Sequence, residues 1–284
     1  MKIIRSREEL QAALAVLPRP LGFVPTMGYF HEGHLSLMRA SRRENRSTVV
    51  SLYVNPLQFG PQEDLARYPR DAERDRLLAE REGVDLLFTP DDEEMYPSVG
   101  RIPGSLQRTR VQVEGLSSIW EGASRPGHFE GVATVVVKLF HLVQPDTAYF
   151  GQKDYQQALV IQTLVRDLAL PVTIRVLPTV READGLALSS RNAYLSPQER
   201  QAAPRLYQSL RLGEELIRQG ERDPQAVIWQ MESFLSKEPL CRLDYVTVVA
   251  PETLLVPAAI RLPVALLGAA WFGKARLIDN LIVR

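Results

Sequence analysis

The chain has 284 residues, 45% hydrophobic and 24% charged, and its 34 basic side chains balance 34 acidic ones for a formal net charge of zero. That length allows one large domain or two ordinary ones with a real core. The balance excludes the basic surplus of a generic nucleic-acid binder, leaving room only for a local basic cleft. The sole cysteine, Cys241, excludes an intramolecular disulfide and reads as a small buried apolar residue in a reducing compartment.

The first nine residues lack the apolar core of a signal peptide. No run approaches the roughly 18 apolar residues of a membrane span. The expectation is a cytoplasmic protein with no membrane or nucleic-acid partner.

Residues 21–25 read as a short buried strand, and residues 35–45 as a helix. Between them runs Pro25-Thr26-Met27-Gly28-Tyr29-Phe30-His31-Glu32-Gly33-His34. Two imidazoles therefore stand where a strand end meets a helix start. Unpaired N–H groups and a positive dipole end favour an anion there, and Gly28 and Gly33 let backbone approach a phosphate.

Further strands are expected at 47–54, 84–88, 148–150 and 172–177, and a charged, surface-facing helix at 71–82. Val132, Val135, Val136, Leu139 and Val143 follow helical spacing, as do Ile161, Leu164, Val165 and Leu168. This alternation predicts an α/β fold: a Rossmann-like parallel sheet with helices on both faces, spanning residues 1–180. Ligands bind beyond the carboxyl ends of such strands. The pattern then changes. Ser196-Pro197-Gln198-Glu199 resembles a capped helix start, so one helix is expected from there to about Arg218 and another over 224–235. Strands follow at 243–249, 262–272 and 275–283. Residues 181–284 thus form a smaller C-terminal α+β domain.

Four other segments carry candidate chemistry: Val54-Asn55-Pro56-Leu57-Gln58-Phe59-Gly60, Arg125-Pro126-Gly127-His128-Phe129-Glu130-Gly131, Phe150-Gly151-Gln152-Lys153-Asp154-Tyr155-Gln156-Gln157, and Leu188-Ser189-Ser190-Arg191-Asn192. Taken alone, each has an ordinary structural alternative. The histidines could simply cap a loop, and a zinc site lacks a third ligand placed by spacing. Lys153 and Asp154 could be a solvated pair, the glutamines surface residues, and 188–192 an interdomain loop.

In order and along nearly the whole chain, these segments resemble the pantoate–β-alanine ligase family. Pro178-Thr179-Val180-Arg181-Glu182-Ala183-Asp184-Gly185-Leu186-Ala187 and Arg276-Leu277-Ile278-Asp279-Asn280 match it too. His31-x-Gly33-His34 alone marks only a broader nucleotidyl-transferring superfamily. The resemblance implies ATP-dependent condensation of pantoate with β-alanine through an acyl adenylate, releasing AMP and pyrophosphate. It implies His34, His31 and Lys153 as catalytic residues. It assigns ATP to Met27, Gly28, His31, Gly33, His34, Gly151, Lys153, Asp154, Val180, Leu188, Ser189, Ser190 and Arg191. Pantoate falls to Gln58 and Gln157, β-alanine to Gln58, and Mg²⁺ to Asp154. Arg125 and His128 are weaker candidates. A homodimer, and closure of the small domain that brings 189–191 to the phosphates, are implied as well. Tyr29-Phe30, where the family has a small residue and then an apolar one, and Gln152, where glutamate is common, depart from the pattern and bear on packing around the nucleotide. A nucleotidyltransferase would call for a second basic patch. An RNA-binding relative fits poorly with zero charge, and a nucleotide sensor with both histidines and Lys153 retained.

Overall fold

The computed structural model describes residues 1–61, 63–97 and 107–284. Two elements precede the first strand expected from the sequence: β1 (Lys2–Ile4) and α1 (Arg7–Leu14), the latter entered through a Ser6/Glu9 capping box. The chain continues through β2 (Leu21–Thr26), α2 (Glu32–Glu44), β3 (Ser47–Leu52), α3 (Ala72–Arg81), β4 (Leu86–Phe88), α4 (Asp92–Met95), α5 (Glu121–Ser124), α6 (His128–Val143), β5 (Thr147–Gly151), α7 (Tyr155–Asp167) and β6 (Thr173–Leu177).

β1 to β6 form one parallel sheet in the order β1-β4-β3-β2-β5-β6. The order reverses between β2 and β5, the place where ligands bind in open α/β sheets. Successive strand residues point to opposite faces. Phe23, Val49, Phe88 and Phe150 pack with Leu10 of α1 and Val132 to Val143 of α6. Their neighbours Val24, Val50, Leu87 and Tyr149 pack with Leu37 and Met38 of α2 and Ala79 of α3. Burial on both faces explains why these strands read as continuous apolar runs.

α3 is the charged, surface-facing helix expected, and of its residues only Asp75 and Ala79 are buried. The helix expected from Ser196 to Arg218 is two helices, α8 (Pro197–Ala202) and α9 (Arg205–Arg218), parted at Pro204. A proline there has no N–H to give the preceding turn, and its ring crowds the carbonyl four residues back. The capping box at Ser196 and Glu199 forms as expected.

After α10 (Pro224–Leu235), β7 (Cys241–Val249), β8 (Val264–Phe272) and β9 (Ala275–Val283) make a separate antiparallel sheet. Its core joins Val246, Val248, Leu266, Phe272 and Val283 to Leu206 and Leu210 of α9 and Val227 and Met231 of α10. The chain divides into Met1–Gly151 with Gln156–Leu177, and Gln152–Tyr155 with Pro178–Arg284. The boundary thus falls after Leu177 rather than after residue 180. Lys153 and Asp154, expected in the first domain, belong to the second unit, because 152–155 is hydrogen-bonded to residues of that unit.

Candidate active site

Beyond β2 the backbone makes a left-handed turn at Gly28 (φ 85°) and Tyr29 (φ 54°). The second of these is uphill for a residue with a Cβ, so something must hold it. Asp75 of α3, only 1% exposed, does so: its two carboxylate oxygens accept the N–H groups of Tyr29 at 2.6 Å and Phe30 at 2.7 Å. A Cβ on Gly28 would stand 2.9 Å from Asp75 Oδ2. Burial nevertheless raises the Asp75 pKa above the ordinary carboxylate value, against the pull of those two N–H bonds. Sequence reasoning missed Asp75 because its neighbours on α3 are equally charged.

The departure at Tyr29-Phe30 resolves into two different fates. Phe30 is fully buried in the core beside α2, its ring 5.6 Å from that of His34. Tyr29 lies under the Arg74 guanidinium and lines a cavity of about 760 Å³ with Met27, Gly28, Tyr53 and Asp75.

α2 begins at Glu32, three residues earlier than expected, so its first turn is built from the motif itself. His31 is the N-cap: its Nδ1 accepts the Gly33 N–H at 3.2 Å. His34, at the third helical position, reciprocates by accepting the His31 N–H on its own Nδ1 at 3.4 Å. The rings lie 4.1 Å apart. A Cβ on Gly33 would meet the His31 ring at 2.9 Å. With Nδ1 an acceptor in both rings, the neutral imidazoles carry their proton on Nε2. Two ring N–H donors thus ride on a helix N-terminus.

Gln58 closes a 3-10 turn (Pro56–Gln58) after β3 and is 7% exposed. A relay fixes its amide. Burial pushes the Tyr96 hydroxyl well above its ordinary pKa, so it stays a donor and gives its proton to Asn55 Oδ1 at 2.7 Å. Asn55 Nδ2 must then face acceptors: Gln58 Oε1 at 3.1 Å and the Gly131 carbonyl at 3.1 Å. Gln58 therefore presents its NH₂, which reaches Met27 Sδ at 3.0 Å. Its backbone carbonyl accepts from His128 Nδ1 at 2.8 Å and Arg125 Nη2 at 3.3 Å. Because Arg125 Nη1 can only donate to His128 Nε2, this histidine carries its proton on Nδ1. Glu63 grips Arg125 at 2.5 and 3.0 Å. Arg125 and His128 thus act on Gln58, a role that spacing alone did not reveal. Gln157 is half-buried in the first turn of α7, whereas its neighbour Gln156 spends its amide on the Leu116 and Ile119 carbonyls before α5 and on the Glu121 N–H that opens it.

In the second unit, Lys153 Nζ lies 3.7 Å from Asp154. Val180 and Leu188 are joined by a backbone hydrogen bond of 3.0 Å. Ser189 caps a 3-10 helix (Ser190–Tyr194), its Oγ accepting the Arg191 N–H at 3.2 Å, and Ser190 is buried. The stretch expected as a loop therefore carries a short 3-10 helix from Ser190 onward. Gly151 closes β5 in the first unit. Met27, Gly28, His31, Gly33, His34, Gln58, Gly151 and Gln157 thus belong to the first unit, and Lys153, Asp154, Val180, Leu188, Ser189, Ser190 and Arg191 to the second.

A family model described as pantoate-beta-alanine ligase matches residues 2–282. Pantothenate synthetase from Moorella thermoacetica is 56% identical over 263 residues, covering 93% of this chain and 90% of its own. The Thermus thermophilus pantothenate synthetase is 55% identical over 285 residues, covering 100% and 99%. A crystal structure of the Thermus thermophilus protein superposes with a TM-score of 0.92 at 53% identity, with 99% of each chain covered. A Francisella tularensis pantoate-beta-alanine ligase, solved with beta-gamma ATP and beta-alanine, gives a TM-score of 0.79 at 33% identity, covering 99% of this chain and 97% of that one.

Proposed function

The chain belongs to the pantoate–β-alanine ligase family and joins pantoate to β-alanine through an amide bond; on that premise we propose that it does so through a pantoyl adenylate, made from ATP at the turn that carries His31 and His34. A carboxylate is a poor acyl donor because oxide is a poor leaving group. A pantoate carboxylate oxygen attacks the α-phosphorus, the bond from that phosphorus to the bridging oxygen breaks, and pyrophosphate leaves with the electron pair. The β-alanine amine then attacks the acyl carbon, AMP departs, and the nitrogen sheds a proton.

Charge builds on phosphate oxygens in both steps, so donors fixed in advance supply most of the acceleration. The observation that supports this reading is the reciprocal capping of His31 and His34, which commits both Nε2 protons to donation at a helix N-terminus. Lys153 adds a point charge for phosphate oxygens, and Ser189, Ser190 and Arg191 add hydroxyl and guanidinium donors. Met27, Gly28, Gly33, Gly151, Val180 and Leu188 complete the nucleotide's surroundings. Gln58, held as a donor by Asn55, and Gln157 take the hydroxyls and carboxylate of pantoate without adding charge. Gln58 also serves β-alanine.

Among the described residues, no cluster of three histidine, cysteine, aspartate or glutamate side chains is disposed to hold a metal. Asp154, about half exposed beside Lys153, suits Mg²⁺ only as an ion shared with substrate phosphates and water. Asp154 would hold it, and the bound ion would neutralise phosphate charge. The family further suggests a homodimer, which light scattering of the purified chain tests. Its single cysteine is in keeping with the cytoplasm.

The direct test is AMP release from ATP, expected only when pantoate and β-alanine are both present. Release without pantoate would overturn the scheme, because no adenylate could then have formed. Gln157→Ala is expected to raise the KM for pantoate while leaving the KM for ATP near its original value. Steady-state kinetics with each substrate varied in turn decide this, and equal changes in the two constants would remove Gln157 from the pantoate site.

A further inference from the structure

Asn280 lies on β9 opposite Leu267 and is 2% exposed. Its side chain is spent on a single stretch of chain. Nδ2 donates to the backbone carbonyls of Gln152 at 2.8 Å and Lys153 at 2.9 Å, and Oδ1 accepts from Gln152 Nε2 at 3.2 Å.

Asn280 is in turn held from behind. Its N–H donates to Asp279 Oδ1 at 2.7 Å, and its carbonyl accepts from Arg181 Nη2 at 3.3 Å. Arg181 grips both Asp279 oxygens, at 2.6 and 2.8 Å, and its guanidinium lies 3.7 Å from the centre of the Tyr207 ring. A chain of charged, aromatic and amide groups thus ends on the two carbonyls that flank the Lys153 Cα.

A lysine ammonium sits on a flexible four-carbon stem, so its reach is aimed mainly by fixing the backbone at its root. A displacement of about 1 Å at a reacting charge costs on the order of 10²-fold in rate. We infer that Asn280 is a positioning residue for the ligase reaction, clamping the backbone on either side of Lys153 so that Nζ is presented to the ATP phosphates. The inference rests on the assignment of Lys153 to those phosphates. It also gives a task to Asp279 and Arg181, which keep the Asn280 backbone in place.

The test is a set of full-length variants assayed for pantothenate formation: N280A, N280D, K153A and the double variant K153A/N280A. N280A is expected to lower kcat about 10²-fold with little change in the KM for pantoate, which Gln58 and Gln157 govern. N280D keeps the volume but turns an oxygen toward two carbonyls, so it is expected to be no more active than N280A. The double variant is expected to be no slower than K153A alone, because groups acting as one unit are not additive. A merely structural asparagine would instead lower the double variant by the full N280A factor, and that result overturns the inference. So does N280A with wild-type turnover beside an inactive K153A. A fully active K153A overturns the reading of Lys153 itself, and this inference with it. Should N280A fail to fold, Q152A removes only the third contact and is expected to show a smaller fall in kcat with the same non-additivity toward K153A. Full additivity there overturns the inference equally.

Discussion

Replacing His34 by alanine is expected to lower turnover about 10²–10³-fold, the scale of one lost transition-state donor, or about 2.7–4 kcal/mol. Two things leave with the ring: the Nε2 proton, and the Nδ1 atom that accepts the His31 N–H. His34→Glu separates them. Glutamate at the third position of a helix completes a capping box but has no N–H to donate, so this variant is expected to melt close to the wild type while its turnover stays low. If H34E regains wild-type turnover, the imidazole serves only as a cap. If H34A stays within a few-fold of wild type in a purified assay, His34 does not act on the phosphates.

Asp75→Ala is expected to be the more damaging change to the fold and to slow the reaction as well. It strands two N–H groups, those of Tyr29 and Phe30, at about 1–3 kcal/mol each when buried. It also releases the left-handed turn at Tyr29, and the histidine motif that follows then loses its anchor. A drop of several degrees in melting temperature and about 10²-fold in turnover should accompany each other. D75A with wild-type turnover would show that the turn holds itself.

The carboxylate carries a pH signature of its own. Burial raises its pKa in the folded chain, so the native state keeps this proton to higher pH than the unfolded state does. Between the ordinary carboxylate value and the raised one, the native state binds more protons, and stability falls as pH rises. D75N lacks that slope. The stability difference between wild type and D75N, followed by denaturant titration, should move toward the variant as pH climbs through this window.

The helix mouth carrying His31 and His34 was legible because three independent cues coincide there: an apolar run, a glycine turn and polar residues before a helical period. β1 was not, since a strand so short, with Lys2 and Ile3 exposed and Ile4 alone buried, leaves no periodicity to read. Pro204 was visible in the sequence and physically sufficient to divide the helix, yet the capping signal at Ser196 outweighed it. Asp75 escaped because apolar spacing cannot separate a buried carboxylate from Glu73 beside it, which is engaged at the surface with Arg76. Tyr96 and Asn280 work on partners 41 and 127 positions away, a distance at which no local pattern applies. The resemblance supplied Gln58, but only the fold shows which face of its amide is turned outward.

The path of the chain has a practical outcome. It enters the second unit at Gln152, leaves it after Tyr155 and returns for good at Pro178. Cutting the gene after Leu177 would therefore not excise a tidy module. The upstream product would retain the lysine stretch but lose its mates on β9, and the downstream product would carry Asn280 with nothing to grasp. Mixing the two halves offers a complementation experiment in which regained ligation reports the reunion of four residues with their host.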